Sequence, residues 1–208
     1  MKVLLINGSL HTDGSTKASL GIVAKALEEQ GVETEIFDIG GAPVRDCIAC
    51  MACRKLDNRC AFDDDIVNRI IDKARDCDGF VFGTPVYYAH PSGRILSVLD
   101  RVFYAGSSVF SHKPGAAVAV ARRAGTTASL DVLNKYFSLA QMPVVSSTYW
   151  NITHGAKAED VYEDKEGVQT MKNLANNMAW LIKSIDVAKN LGVEPPLADK
   201  SNRTNFIR

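Results

Sequence analysis

Four of the five cysteines lie in one short segment of the chain, where their thiols could act together. Cys47, Cys50 and Cys53 form two consecutive C-x-x-C steps, and Cys60 follows after six further residues. Thiolates bind iron and zinc, and neighbouring thiols can also exchange with a disulfide. This spacing therefore indicates a metal site or a redox site.

The spacing is compatible with four states of the array: an iron-sulfur cluster, a zinc ion, a disulfide and free reduced thiols. In a 4Fe-4S cluster the three closely spaced thiols could bind three corners while Cys60 binds the fourth. The bacterial ferredoxin run, C-x2-C-x2-C-x3-C-P, has the same short steps but a shorter last gap and a proline. Zinc sites more often pair two separated groups of ligands. Cys77 lies outside the array and is predicted to be a core residue.

A hydroxyl-rich loop, GSLHTDGST, follows the first apolar run. The loop matches neither the G-x-x-x-x-G-K-S/T motif of triphosphate binders nor the dinucleotide motif G-x-G-x-x-G. It leads into a predicted helix, whose N-terminal N–H groups attract anions. Four hydroxyls accompany those groups, on Ser9, Thr12, Ser15 and Thr16. The loop predicts a site for one phosphate monoester without a metal, and an ordinary Ser/Thr helix cap is the alternative.

A second loop, TPVYYAHPSG at 84–93, combines two prolines with two adjacent tyrosines. Pro85 and Pro91 stiffen the loop, and the tyrosines offer flat faces with polar tips. An aromatic heterocycle could stack on Tyr87 or Tyr88; the alternative is that both tyrosines pack locally. His90 is interpreted as a loop histidine, with a catalytic role beside the tyrosines as the alternative.

A third loop, at 121–127, carries the adjacent arginines Arg122 and Arg123 before Gly125. An arginine here could donate a hydrogen bond to a ring that becomes anionic on reduction, although surface arginines are common. A phosphate monoester attached to a flat redox-active ring would satisfy all three loops. FMN has that structure.

Apolar runs alternate with helical patterns along the whole chain, which predicts an α/β protein. The expected fold is a doubly wound five-stranded parallel sheet of order 2-1-3-4-5, with helices on both faces and ligands at the carboxyl ends of the strands. Asp63, Asp64 and Asp65 are predicted to cap a helix, with metal binding as the alternative. The predicted domain spans 1–190, includes a cysteine-rich insertion at 47–60, and precedes a tail at 191–208. The five predicted strands are 3–7, 32–39, 79–83, 115–121 and 143–148.

Composition excludes several classes of protein. The 24 basic and 24 acidic side chains give a net charge of zero, which argues against a nucleic-acid or polybasic membrane partner. The first apolar stretch is shorter than the core of a signal peptide, about 7–15 residues. An odd cysteine count argues against a secreted disulfide scaffold. A cytoplasmic location is therefore predicted.

The loops resemble those of the NADPH-dependent FMN reductase branch of the flavodoxin-like superfamily, over about residues 1–190. The resemblance rests on Gly8-Ser9 with Gly14-Ser15-Thr16, followed by GTPVYY and a helix. The cysteine spacing resembles the compact motif of iron-sulfur flavoproteins, an offshoot of the same family. The resemblance implies a flavodoxin-like fold, bound FMN, NAD(P)H as substrate and a homodimer or homotetramer.

The resemblance also implies roles for individual residues. The FMN phosphate would be held by Ser9, His11, Ser15 and Thr16. The isoalloxazine ring would be framed by Pro85, Val86, Tyr87 and Tyr88, and its pyrimidine side approached by Arg122, Arg123 and Gly125. His11 departs from the family pattern, which commonly has arginine or lysine at that position. Trp150 and Asn151 are predicted to contribute across a subunit interface.

These features predict an FMN-dependent NAD(P)H oxidoreductase that works by ping-pong transfer to a small acceptor. Free flavin, a quinone, an azo dye or a metal oxyanion would suit an open, flat site. One alternative is a non-enzymatic electron carrier, although zero net charge is unlike a typical acidic flavodoxin. A second is a redox-sensing or interaction protein that retains the fold without the chemistry.

Overall fold

A parallel sheet with helices on both faces forms the protein in a computed structural model, which describes residues 1–202, 204 and 206. The strands are β1 (Lys2–Asn7), β2 (Glu33–Asp38), β3 (Gly79–Tyr87), β4 (His90–Pro91), β5 (Gly115–Ala121) and β6 (Ile152–His154). The helices are α1 (Ser15–Glu29), α2 (Val67–Arg75), α3 (Gly93–Phe110), α4 (Thr126–Leu139), α5 (Ala158–Glu163) and α6 (Lys165–Asn190). A short 3-10 helix spans Ala52–Lys55.

The sheet has the strand order β2-β1-β3-β5-β6, and β4 pairs only with β3, as an antiparallel hairpin. Numbered along the chain without β4, the five parallel strands follow the order 2-1-3-4-5, which confirms the predicted topology. β2 lies at one edge of the sheet, as its alternating pattern predicts. The carboxyl ends of β1, β3 and β5 are therefore neighbours, and the loops that follow them share one edge.

Alternate residues of each central strand pack into two separate cores. In β1, Leu4 and Ile6 belong to a core that includes α2, α3 and α4, whereas Val3 and Leu5 belong to a core that includes α1 and α6. All four side chains are fully buried, because a parallel strand between two helical layers has no solvent-facing side. The hydroxyls of Ser19 and Thr153, 2.6 Å apart and buried, additionally join α1 to β6.

The strand predicted at 143–148 is wrong in position. Only Val144 pairs with the sheet there, through an isolated bridge to Gly115, and the chain then turns away. The fifth parallel strand is instead β6, which pairs with Ala119–Ala121 at the other end of β5. The residue types of 143–148 favour an extended backbone. A strand also needs a paired partner, and here Val144 has only Gly115 of β5 beside it.

Two other local predictions need correction. The predicted strand 79–83 continues to Tyr87, because the following residues pair with β5 and then form the hairpin with β4. Of the three aspartates expected to cap α2, only Asp65 accepts from a backbone N–H of the helix, that of Val67 at 3.1 Å, while Asp63 accepts from the side chain of Asn68 at 2.9 Å. The other two form ion pairs described below.

Cys77 is buried, with 2% of its surface exposed, which confirms it as a core residue. Within the described part of the chain, no helix has the length and apolar character needed to cross a membrane. Beyond α6, residues 193–202, 204 and 206 are exposed and belong to no helix or strand. The predicted tail also contains 203, 205, 207 and 208, which lie outside the described residues. Its separation from a domain at 1–190 stays a prediction.

Candidate functional site

The first two loops at the carboxyl edge of the sheet are tied together at Gly8. Gly8 N donates to Gly83 O at 2.8 Å, and Ser92 Oγ donates to Gly8 O at 3.0 Å. A Cβ atom on residue 8 would lie 2.4 Å from Gly83 O, so this close approach requires glycine. Ser92 N also donates to Thr84 Oγ1 at 3.1 Å. The loop after β1 and the hairpin after β3 therefore form one connected surface.

Asn7 folds the first loop back toward the start of α1. Its side-chain Nδ2 donates to His11 O at 3.1 Å, and its Oδ1 accepts from Ser9 N at 3.2 Å. Ser9 Oγ in turn accepts from His11 N at 3.1 Å. Ser9 is buried and His11 is exposed. Asn7 was missed by sequence reasoning, because an asparagine at the end of a strand belongs to none of the motifs considered.

The N-terminus of α1 has no side-chain cap among the described residues. Gly14 is the N-cap residue, so Ser15 and Thr16 are the first residues of the helix rather than its cap. Its first turn also carries no acidic side chain. The Ser/Thr cap considered as an alternative is therefore absent from this part of the structure. Free N–H groups and the positive end of the helix dipole give this position the character of an anion site.

The hairpin after β3 projects its two tyrosines into solvent. Tyr88 and Ala89 form the turn with φ values of 52° and 59°. Positive φ at both central residues suits a tight two-residue hairpin but is unfavourable for a side chain as large as tyrosine. Tyr88 is fully exposed and Tyr87 is half exposed, so local packing of both rings is not what the structure shows. Their faces are free to contact a flat ligand.

Gly125 packs the third loop against the tip of this hairpin. It adopts a φ of 90° as the N-cap residue of α4. A Cβ atom there would lie 2.4 Å from Ala89 Cα and 2.8 Å from Val86 Cγ1. Among the described residues, the start of α4 likewise has no side-chain cap. The second and third loops are thus in direct contact.

The structure places the predicted FMN residues along this single edge. Pro85 and Val86 are half-buried in the hairpin, while Arg122 and Arg123 are exposed in the third loop. The residues assigned to the phosphate surround the start of α1. Shared location agrees with the predicted roles, and each residue's assignment as an FMN ligand stays a prediction.

Trp150 and Asn151 differ in their surroundings. Asn151 is buried, with its Nδ2 donating to Val145 O at 3.3 Å and its Oδ1 accepting from Ser147 Oγ at 2.7 Å. It shapes the turn before β6. Trp150 is half exposed and packs edge-on against Tyr149, with 4.6 Å between ring centroids. Of the two residues, only Trp150 offers surface to another subunit.

All four clustered cysteines line a second site, beside α3. Cys47, Cys50, Cys53 and Cys60 line a shallow, open depression together with Tyr104 and Arg101. The segment that bears them contains Ala49 and Met51 at φ values of 51° and 57°, which bend the chain around the depression. Burial raises the pKa of the Cys53 thiol, and the three neighbouring cysteines raise it further. The thiols therefore share one electrostatic environment.

Ion pairs hold the cysteine segment in place. Arg59 donates to both carboxylate oxygens of Asp63, at 2.8 and 2.9 Å, and Asp64 pairs with Arg45. Asp65 pairs with Arg101, and both side chains are almost fully buried. The three aspartates expected to cap a helix thus mainly anchor this segment. Sequence reasoning also missed Arg101, which lies far from the array in the chain.

Four cysteines supply the thiols around the depression. Within residues 1–202, 204 and 206, no three His, Cys, Asp or Glu side chains are grouped closely enough to hold one metal ion. In a 4Fe-4S cluster each cysteine binds a different iron, so the ligand sulfurs lie farther apart than they do around one zinc. Four thiolates are the usual ligand set of such a cluster.

Comparison with known proteins identifies the family. The model of the family described as "NADPH-dependent FMN reductase" matches residues 1–157. The chain belongs to that family. It is therefore a flavin-dependent oxidoreductase, with FMN and NADPH as the family's cofactor and reductant.

Relatives of this FMN reductase family member match over nearly their full lengths. An iron-sulfur flavoprotein of Methanocaldococcus jannaschii is 29% identical over 194 residues, covering 89% of this chain and 99% of the relative. An NADPH azoreductase of a Bacillus species is 27% identical over 196 residues, covering 93% and 100%. A flavodoxin structure from the domain Archaea superposes with a TM-score of 0.59 at 13% identity, covering 88% and 99%. The flavodoxin-like fold is confirmed.

Proposed function

We propose that the protein uses bound FMN to pass reducing equivalents from NAD(P)H to a small acceptor such as a flavin or a quinone, and that its clustered cysteines bind a 4Fe-4S cluster. The observation that carries the first part is the uncapped N-terminus of α1, next to the exposed tyrosine hairpin. Together they match the two ends of FMN, an anionic phosphate and a flat ring.

FMN, when bound, supplies hydride transfer between nicotinamide and acceptor. The first N–H groups of α1 would hold the phosphate, aided by Ser9, His11, Ser15 and Thr16. The hairpin would frame the ring through Pro85, Val86, Tyr87 and Tyr88, and Arg122, Arg123 and Gly125 would approach its pyrimidine side. Because the hairpin faces solvent, NAD(P)H and the acceptor reach the same surface in turn, as a ping-pong reaction requires.

A cluster in the cysteine depression supplies one-electron transfer when bound. Its ligands would be Cys47, Cys50, Cys53 and Cys60. Support comes from the shared depression and from the relative in M. jannaschii, whose name is iron-sulfur flavoprotein and whose length this chain almost fully covers. The azoreductase relative supports a small organic acceptor.

Rapid mixing tests the proposal. Protein reconstituted anaerobically with FMN, iron and sulfide is mixed with NADPH in a stopped-flow spectrometer, and a quinone is then added. We expect fast bleaching of the flavin bands and their recovery with the quinone. Bleaching only by a reduced protein donor would support an electron carrier instead. A protein that takes up no FMN would overturn the proposal.

We further propose that the protein is a homo-oligomer whose subunit contact includes Trp150. The half-exposed Tyr149–Trp150 pair precedes β6 at the edge of the sheet, and aromatic side chains are enriched in subunit contacts. Light scattering should give a mass of two or four chains for the wild type and a smaller mass for Trp150→Ser. A monomeric wild type would contradict this.

A further inference from the structure

Arg101 is a charged side chain in the interior of the protein, outside the FMN loops. It lies on α3 and exposes only 1% of its surface. Arginine is almost never buried this completely unless its charge and its N–H groups are paired. Its hydrogen-bond and ion-pair partners therefore indicate which part of the structure this arginine serves.

Every partner of Arg101 belongs to the cysteine segment or its flanks. Nε donates to Cys60 Sγ at 3.4 Å, and Nη2 donates to Phe62 O at 3.2 Å. Nη1 donates to Arg45 O at 3.2 Å and also pairs with the Asp65 carboxylate. One rigid guanidinium thus holds the chain both before Cys47 and after Cys60. Lysine could not reproduce this planar fork of donors.

We infer that Arg101 is a positioning residue for the proposed cluster: it fixes Cys60 at the depression and raises the reduction potential of a cluster bound there. The inference rests on the proposed function. Hydrogen bonds to cysteine sulfur and local net charge are among the factors that set cluster potentials. An N–H donor and a positive charge at Cys60 favour the reduced cluster, which carries one more negative charge.

Asp65 provides a second test, in which the cluster potential should shift in the opposite direction. Its carboxylate is 5% exposed and partly neutralises the guanidinium at the depression. Removing the charge of Asp65 while keeping Arg101 leaves more positive charge near the sulfur. The potential should therefore become less negative in Asp65→Asn and more negative in Arg101→Met. A role confined to holding the loop would lower cluster content in both variants without moving the potential in opposite directions.

The experiment compares reconstituted full-length wild type with Arg101→Met, Arg101→Lys, Asp65→Asn and the control Arg69→Met. Arg69 is an exposed arginine of α2, outside the cysteine segment, whose guanidinium lies over the ring of Phe37. Iron and sulfide analysis gives the cluster content, and redox titration monitored by electron paramagnetic resonance gives the cluster potential. Neither readout depends on turnover.

We expect Arg101→Met to bind the cluster roughly 10- to 100-fold more weakly and so to retain less of it, as for outer-shell partners of other metal ligands. Its remaining cluster should have a more negative potential, Arg101→Lys an intermediate one, and Arg69→Met that of the wild type. If Arg101→Met binds no cluster, the test is whether the cluster potentials of Arg101→Lys and Asp65→Asn shift in opposite directions. Unchanged potentials in Arg101→Lys and Asp65→Asn would overturn the role inferred for Arg101 and leave the cluster proposal standing. A wild type that binds no cluster would overturn the cluster proposal together with it.

Discussion

The Nε atom of Arg101 lies 3.4 Å from the sulfur of Cys60, although the two residues are 41 positions apart in the chain. The helix that carries Arg101 is capped by Ser92, whose hydroxyl accepts from Ile95 N and donates to Gly8 O. From there to Arg101 the helix axis advances about 13 Å, at about 1.5 Å per residue. One helix therefore links the proposed FMN site to the proposed cluster site.

Adding a carboxylate at the start of α1 should weaken binding of the FMN phosphate. In Gly14→Asp the new side chain can cap the helix and occupy the anion site. We expect the free energy of unfolding without ligand to rise by roughly a few tenths of a kcal/mol, because glycine is itself a fair N-cap residue, and FMN affinity to fall about tenfold. Fluorescence titration with FMN and with riboflavin, which lacks the phosphate, measures the effect. Equal losses for both ligands would contradict a phosphate site here.

Substituting Gly125 should separate the hairpin from the third loop. The side chain of Gly125→Val would collide with Ala89 and force a φ of 90° on a branched residue. We expect a loss of at least roughly 1–3 kcal/mol in unfolding free energy and weaker FMN binding. Chemical denaturation and FMN titration measure both effects.

Gly21→Ala is the matched control for Gly125→Val. Gly21 lies within α1, and a Cβ atom there meets nothing within 4 Å. Alanine should stabilise the helix by roughly 0.5–1 kcal/mol and leave FMN affinity unchanged. A comparable loss of FMN binding in this control would show that glycine substitutions act on overall stability rather than on the loop contact.

Removing the ring of Tyr88 should affect FMN binding but not folding. Glycine suits the positive φ of this position, so Tyr88→Gly keeps the turn while deleting the aromatic face. Loss of one stacking contact corresponds to an affinity about two- to tenfold weaker. Tyr162→Ala, in the exposed part of α5, is the control and should bind FMN normally. Unchanged affinity in Tyr88→Gly would place the ring of FMN elsewhere.

Cysteine substitutions should distinguish the role of the clustered cysteines from that of the buried Cys77. Cys60→Ser removes a proposed cluster ligand, so reconstituted protein should lose the broad visible absorption of the cluster while keeping the flavin bands. Cys77→Ser should keep both absorptions and lose only stability, about 1 kcal/mol, because Cys77 is buried away from the depression. Cluster absorption that survives in Cys60→Ser would exclude Cys60 as a ligand.

Acid should selectively remove the contribution of Glu35 to stability. Hydrogen bonds from Lys73, and then from Lys2, lower the pKa of Glu35 below its ordinary 4.5. A carboxyl with a lowered pKa in the folded state stabilises the protein above 4.5, and this contribution disappears as the pH falls through the folded-state pKa.

The free energy of unfolding of Glu35→Gln should thus lie about 0.2–1 kcal/mol below the wild type at neutral pH. The difference should vanish in acid, as followed by urea denaturation across a pH series. Glu33→Gln, at a more exposed pair with Lys2, should show a smaller difference at neutral pH. A difference for Glu35→Gln that persists in strong acid would mean that the residue acts by packing and not by charge.

The sequence by itself determined the sheet order, the two-sided core and the edge that carries the candidate FMN site. These features follow from local patterns, because a strand buried on both faces must be apolar throughout, as in Val3 to Ile6. The cysteine array was equally visible, since its members are close in the chain.

Only the tertiary structure decided which residues support those sites. Asn7, Ser92 and Arg101 act through partners that other segments bring to them, and no local pattern reveals such a partner. The position of the fifth strand depended on tertiary structure in the same way. Residues 143–148 have the composition of a strand, yet on the edge away from β3 the strand β5 pairs mainly with Ile152–His154. A hydrogen bond needs both partners within reach, and the packing of distant segments determines where each partner lies.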